Sequence, residues 1–120
     1  MQAAPPELAA WHQTDHHFVP GLYARTLYMR AGTVMTGALH KTRHFYAVLL
    51  GRVTVVDSMG NSTEIVAPHL GITEPGTKRA MYVHEDTIWT NFHVTDKTDP
   101  DEIIDEITAE TFEQFDAGAA

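Results

Sequence analysis

Three histidines carry the most suggestive chemistry in this chain. His40 and His44 stand at the two edges of a short polar tip, Lys41-Thr42-Arg43, between apolar-rich runs. If both runs are strands, side chains alternate faces with a period of two. Val34, Thr36, Ala38 and His40 then share one face, and His44, Tyr46, Val48 and Leu50 share another. A tight hairpin between the runs would make these one face of one sheet and aim both imidazoles into one space. His93 is the best candidate for a third ligand. It shares a face of the run 87–95 with Trp89 and Asn91, while Ile88, Thr90, Phe92 and Val94 share the other; either face can be the inward one. A His40/His44/His93 set leaves an open coordination position and suits one divalent transition metal, Zn, Fe, Mn or Ni. Glu64, Glu74 and Glu85 are the carboxylates that could complete it. The competing reading makes the three imidazoles hydrogen-bonded members of a polar barrel interior.

Arg79 is the second candidate. Its guanidinium could bind an anion, meeting a carboxylate or phosphate of a substrate. The competing and favoured reading pairs it with Glu85 or Asp86, because a buried charge must find a partner. His12, Asp15, His16 and His17 form a further cluster, but in a segment that reads as a polar connector without a rigid scaffold. Tyr46 and Trp89 read as core before they read as pocket wall. No Ser-His-Asp order, phosphate loop or nucleotide fingerprint is present.

The elements that must position these residues are strands. Between Leu22 and Thr95 the expected strands are 22–30, 33–40, 44–50, 52–57, 62–67, 70–74, 78–83 and 87–95. They are punctuated by Gly21, Gly32, Gly51, Met59-Gly60-Asn61, Pro68 and Pro75-Gly76. Closely spaced short strands of this kind predict an all-β domain, a barrel or sandwich. Residues 1–21 are expected as an N-terminal arm, 22–95 as the barrel and 96–120 as an acidic helical tail. In that tail, Asp99-Pro100-Asp101-Glu102 is a helix start with Asp99 as cap. Ile103, Ile104 and Ile107 make one apolar stripe, and Thr108 could cap a second short helix carrying Phe112 and Phe115.

The 120 residues suit one domain. There is no cysteine, which removes disulfides and thiolate chemistry. No apolar run approaches the ~20 residues of a membrane helix, and no signal-peptide pattern is seen at the N-terminus. The formal net charge is −8. Up to Thr95 the bases and acids balance; the excess lies from Asp96 onward, where Lys97 is the only base. Such a distribution argues against binding a phosphate backbone, which needs a basic stripe.

At Gly37–Gly51 and Pro75–Arg79 the chain resembles the cupin superfamily, whose first motif is G-x5-H-x-H-x3,4-E-x6-G. Anchored on Gly51, His40 falls at the second histidine and His44 at the glutamate, while Ala38 replaces the first histidine. In the second motif Gly76 matches, Glu74 stands where proline is expected, Arg79 where a ligand histidine is expected, and Val83 where asparagine is expected. The runs His40–His44, Pro75–Arg79 and His84–Trp89, with His93, resemble more closely a group of small cupin-like proteins of tailed bacteriophages and prophages. That resemblance covers residues 23 to 107. It implies a cupin-like antiparallel β-barrel (jelly roll) with a short C-terminal helical tail, and a viral context in the host cytoplasm or virion.

Since the usual four-ligand set is not intact, the expected function is a non-catalytic structural or assembly module of a phage particle. The alternative is a small metal-binding cupin enzyme or ligand-binding protein acting on a small molecule. Expected partners are further copies of the chain, a homo-oligomer, or other phage proteins, without nucleic acid or membrane. The oligomer is suggested by Trp11, Phe18, Ile103, Ile104, Ile107, Phe112 and Phe115, large apolar residues outside the expected barrel.

Overall fold

A computed structural model describes residues 14–36, 39–76 and 78–109. Its strands are β1 (Thr14–Val19), β2 (Leu22–Met29), β3 (Val34–Thr36), β4 (Leu39–His40), β5 (His44–Leu50), β6 (Arg52–Asp57), β7 (Ser62–Val66), β8 (His69–Thr73), β9 (Arg79–Val83) and β10 (Thr87–Val94). Helix α1 (Pro100–Ile107) and the short β11 (Thr108–Ala109) follow. Every pairing is antiparallel. One sheet runs β1-β2-β10-β5-β8, the other β3-β9-β6-β7, and β4 pairs with β11 in a two-stranded piece. The fold class expected from the sequence is the one observed.

The core lies between the two larger sheets. Met29, Tyr46, Val48 and Trp89 come from the five-stranded sheet, and Val53, Val55, Ile65 and Val83 from the other. These are the inward members of each period-two pattern, so burial follows the alternation read from the sequence. Gly51 carries the chain from β5 to β6 with φ +99°. A Cβ there would stand 2.5 Å from the Asp86 carbonyl oxygen, so only glycine turns this corner.

Two expectations need correction. The segment read as a connector already holds a strand at 14–19, which pairs with β2 from Thr14↔Leu27 to Val19↔Leu22. Its His16 bonds the Tyr23 hydroxyl through Nδ1 while His17 is exposed on the other face, so the two do not converge on an ion. The tail also differs. Asp99 caps α1 as expected: its Oδ1 accepts from the Asp101 N–H at 3.0 Å, and its carbonyl from Ile103 N–H at 3.0 Å. Thr108, however, begins β11 and pairs with His40, because the two-residue β4 would otherwise leave its backbone groups unpaired beside the core. Trp11, Phe112 and Phe115 lie outside the described residues.

Ile103 and Ile107 pack on Tyr23, with Phe18 and Ile104 around them. The apolar stripe of the helix is therefore satisfied within the chain and gives no reason for a partner.

Candidate functional site

The three histidines converge. His40 ends β4, His44 opens β5 and His93 is the penultimate residue of β10. Ring centroids are 4.7 Å apart for His40 and His44, 4.4 Å for His44 and His93, and 6.5 Å for His40 and His93. The convergence does not come from a β4–β5 hairpin. β5 pairs with β10 and β8, and β4 is held instead by β11. His40 thus reaches the cluster from a corner of the barrel. The inward face of β10 is the one carrying Trp89, Asn91 and His93, all buried.

Each ring keeps a buried nitrogen without a partner: Nδ1 of His40, Nε2 of His44 and Nδ1 of His93. His44 Nδ1 lies 3.2 Å from the Thr42 carbonyl oxygen. That acceptor requires the proton on Nδ1 and leaves the Nε2 lone pair aimed inward, the tautomer a metal ligand uses. Burial lowers the His93 pKa to about 3 and the His40 pKa to about 4; the neighbouring imidazoles and Arg25 add to the effect. Burial also lowers the His44 pKa, opposed by the Thr42 carbonyl. Asn91 raises it slightly without reaching a formed bond to Nε2. All three rings are neutral at pH 7, the form that binds metal.

The donor set fits a transition metal, and the geometry fits in part. Zn–N bonds of ~2.0 Å in a tetrahedron put ring centroids ~5 Å apart, close to two of the three separations. The 6.5 Å side is too wide, and among the described residues no three ligands are already arranged to hold an ion. The carboxylates expected to complete the set are elsewhere. Glu64 and Glu85 pair with Arg52, and Glu74 with Arg43, all at the surface.

Arg79 faces the same space. Its favoured sequence reading, a pair with Glu85 or Asp86, is overturned: Glu85 is taken by Arg52, and Asp86 accepts from Ala31 N–H. Arg79 Nη2 instead donates to Thr73 Oγ1 at 3.0 Å, with its guanidinium 5.4 Å from the Tyr46 ring centroid and 5.7 Å from that of Trp89. Those rings stack at 4.5 Å and 7°. Gly71 makes this possible, since a Cβ there would collide with the Tyr46 ring. Tyr46 and Trp89 are thus both core and platform.

A cavity of about 300 Å³ has His40, His93, Arg79, Trp89 and Asn91 in its wall and Ile104 and Ile107 of α1 along one side, whereas His44 lines a second cavity with Arg43, Phe45 and Phe92. The sequence reading missed Arg25, which also lines the first. The signal was available, because Arg25 alternates in register with Tyr23, Leu27 and Met29 on the apolar side of β2. A charge at that parity points inward.

No protein-family model matches the chain, and no curated protein matches it by sequence. Solved structures do. The chain superposes on a cupin-2 domain containing protein from Shewanella frigidimarina with TM-score 0.57 and 7% identity, covering 69% of this chain and 80% of that one. The chain has a cupin fold. Protein NMB1881 from Neisseria meningitidis matches with TM-score 0.60 and 11% identity, over 74% of this chain and 92% of the other. A salicylate 1,2-dioxygenase from Pseudaminobacter salicylatoxidans matches with TM-score 0.60 and 15% identity, over 77% of this chain but 27% of that larger protein. At these identities the likeness carries the cupin fold and leaves the function to the site.

Proposed function

We propose that this cupin binds one divalent transition metal through His40, His44 and His93 and uses the adjoining cavity to hold a small molecule. The observation that carries this reading is the set of three buried ring nitrogens without a hydrogen-bond partner, one per histidine, on rings whose centroids lie within 6.5 Å of one another. Buried polar atoms are nearly always paired, and three orphans in one place call for a shared partner. When bound, the metal would supply Lewis acidity to an oxygen atom of the ligand. The chain's own part is to orient and to exclude water. Arg79 offers its fork from the Tyr46–Trp89 platform, and Trp89, Met81 and Ile107 supply dry wall.

Elemental analysis of protein purified without added metal tests this. About one equivalent of Zn, Fe, Mn or Ni per chain is expected, falling at least tenfold in His93→Ala. A chain that takes up no metal from any of the four ions, while folded, refutes the reading.

A second reading, assembly, has its own support. The outer face of the five-stranded sheet exposes Phe45, Leu49, Leu70, Ile72 and Val94, an apolar surface of the kind that monomers seldom leave open. A two-fold pair of chains through this face would cover it. Sedimentation is expected to show a dimer that Phe45→Glu together with Leu70→Glu converts to monomer; a wild-type monomer at high micromolar concentration removes the reading. A place in a phage particle rests on the sequence resemblance alone. It ranks below the pocket, because a building block has no use for three orphaned imidazoles.

A further inference from the structure

The charge of the cavity is unbalanced. Among the described residues its wall includes Arg25 and Arg79 but no aspartate or glutamate. Arg25 comes from β2, opposite Asn91 of β10, and Arg79 from the first position of β9 in the other sheet. The two guanidiniums share the cavity wall with His40 and His93. Arg25 Nε is buried without a partner, and among the described residues neither arginine has a carboxylate pair. Arg43 and Arg52, at the surface, do find them: Arg43 takes Glu74, and Arg52 takes Glu64 and Glu85. Two cations facing a cavity without a counter-charge are costly unless an anion arrives to answer them.

The rest of the wall selects among anions. Leu27, Met35, Met81 and Trp89 line the space beside the two forks. A volume of about 300 Å³ lies at the small end of the range of ligand pockets, which favours a compact molecule. An inorganic anion would satisfy the arginines and leave the apolar wall facing water. A compact organic acid satisfies both, and a planar carboxylate matches the guanidinium fork.

We propose that the cavity takes a small carboxylic acid, its carboxylate bridging Arg25 and Arg79 and its carbon body lying against Trp89, Leu27 and Met81. This rests on the reading of the cavity as a ligand site given above, and it names the class of ligand.

Calorimetric titration of the full chain tests it, with benzoate and succinate as acids, benzamide as the neutral isostere and inorganic phosphate as the bare anion. At least one of the acids is expected to saturate at one site per chain, with benzamide and phosphate at least about tenfold weaker than that acid. Arg25→Gln and Arg79→Gln should each weaken it at least about tenfold, Arg79→Lys less so, and Arg52→Gln not at all. Thermal melts establish that each variant is folded; if Arg25→Gln is not, the two Arg79 variants still decide. Benzamide binding as well as benzoate, phosphate matching both acids, or no acid binding at millimolar concentration each overturns the proposal. Repeating the titration on chelator-treated protein separates it from the metal reading. Arginine-dependent acid binding that survives chelation keeps the acid whatever the metal does, and a folded chain that then takes up none of the four ions sinks the metal alone. Stoichiometric metal with no preference for acid over amide does the reverse.

Discussion

Arg52 and Arg79 each open a strand, and those strands, β6 and β9, pair side by side in antiparallel register. The two arginines therefore mark opposite ends of the barrel. At one end Arg52 donates to Glu85 at 3.1 Å and to Glu64 at 3.0 Å, half exposed to water. At the other Arg79 turns inward over two aromatic rings, with a threonine hydroxyl in place of a carboxylate. The histidines divide in the same way. His84 bonds Thr54 Oγ1 at 2.6 Å and His69 bonds the Tyr46 hydroxyl at 3.2 Å, while His40, His44 and His93 each keep an orphan nitrogen. One end of the barrel has its polar groups paired. The other holds its polar groups in reserve, and binding sites are where a fold tolerates such incomplete satisfaction.

Acidification should separate the two ends most strongly. The folded-state pKa values of His40 and His93 are about 4 and about 3, below the usual 6.5. The unfolded chain therefore binds more protons between those values, and stability rises with pH across the window. The stabilisation is full above pH 6.5 and is lost as pH falls towards 4 and then 3. The slope is up to about 1.4 kcal/mol per pH unit for each group, less where solvent reaches the ring. Thermal melts of metal-free protein from pH 7.5 to 4 should show this loss, and His93→Gln should flatten it. A melting temperature that is constant over that range would mean the imidazoles are not desolvated in the folded chain.

Smaller effects sharpen the contrast between the arginines. Arg79→Met in ligand-free protein replaces an uncompensated cation by an apolar side chain, and stability should rise by ~1 kcal/mol. Arg52→Met removes two exposed ion pairs and should leave the melting temperature nearly unchanged. Urea titration of the two variants checks both. If Arg79→Met is the more damaging, Arg79 is a structural arginine and the two ends of the barrel do not differ as argued.

Local sequence carried the strands well. Between Leu22 and Val94 the observed strands stay within two residues of the expected ones, except that the run 33–40 is divided into 34–36 and 39–40; β11 was not expected at all. Alternation and glycine or proline breaks are local signals, and they mark a strand wherever along the chain its pairing partner lies. β1 escaped because Asp15, His16 and His17 interrupt its alternation, and only Phe18 shows an apolar side. The meeting of His40 and His44 was legible in their spacing, though for the wrong reason. The support of β4 comes from Thr108, and no local pattern encodes a partner so distant along the chain. Arg79 was misassigned because sequence nearness to Glu85 and Asp86 says nothing about which side of a hairpin each occupies. Arg25 shows the opposite case, a residue whose parity was plain and whose charge made it easy to pass over.

The pairing of β4 with β11 has a further consequence, in the order of events. Thr108 meets His40, and the Lys41 N–H donates to the Ile107 carbonyl at 2.6 Å. During synthesis, β2, β5, β6, β9 and β10 can assemble once Val94 has emerged, because the strand pairings among them are complete by then. The Gly76 N–H can already hold the His40 carbonyl, at 2.8 Å, but the other support of β4 waits for the segment from Pro100 to Ala109, which closes a long loop at an entropic cost met late. The barrel is thus finished before its site is. A nascent chain that has folded its core still lacks a fully positioned third imidazole, so capture of an ion or ligand waits on the helix and the two residues after it.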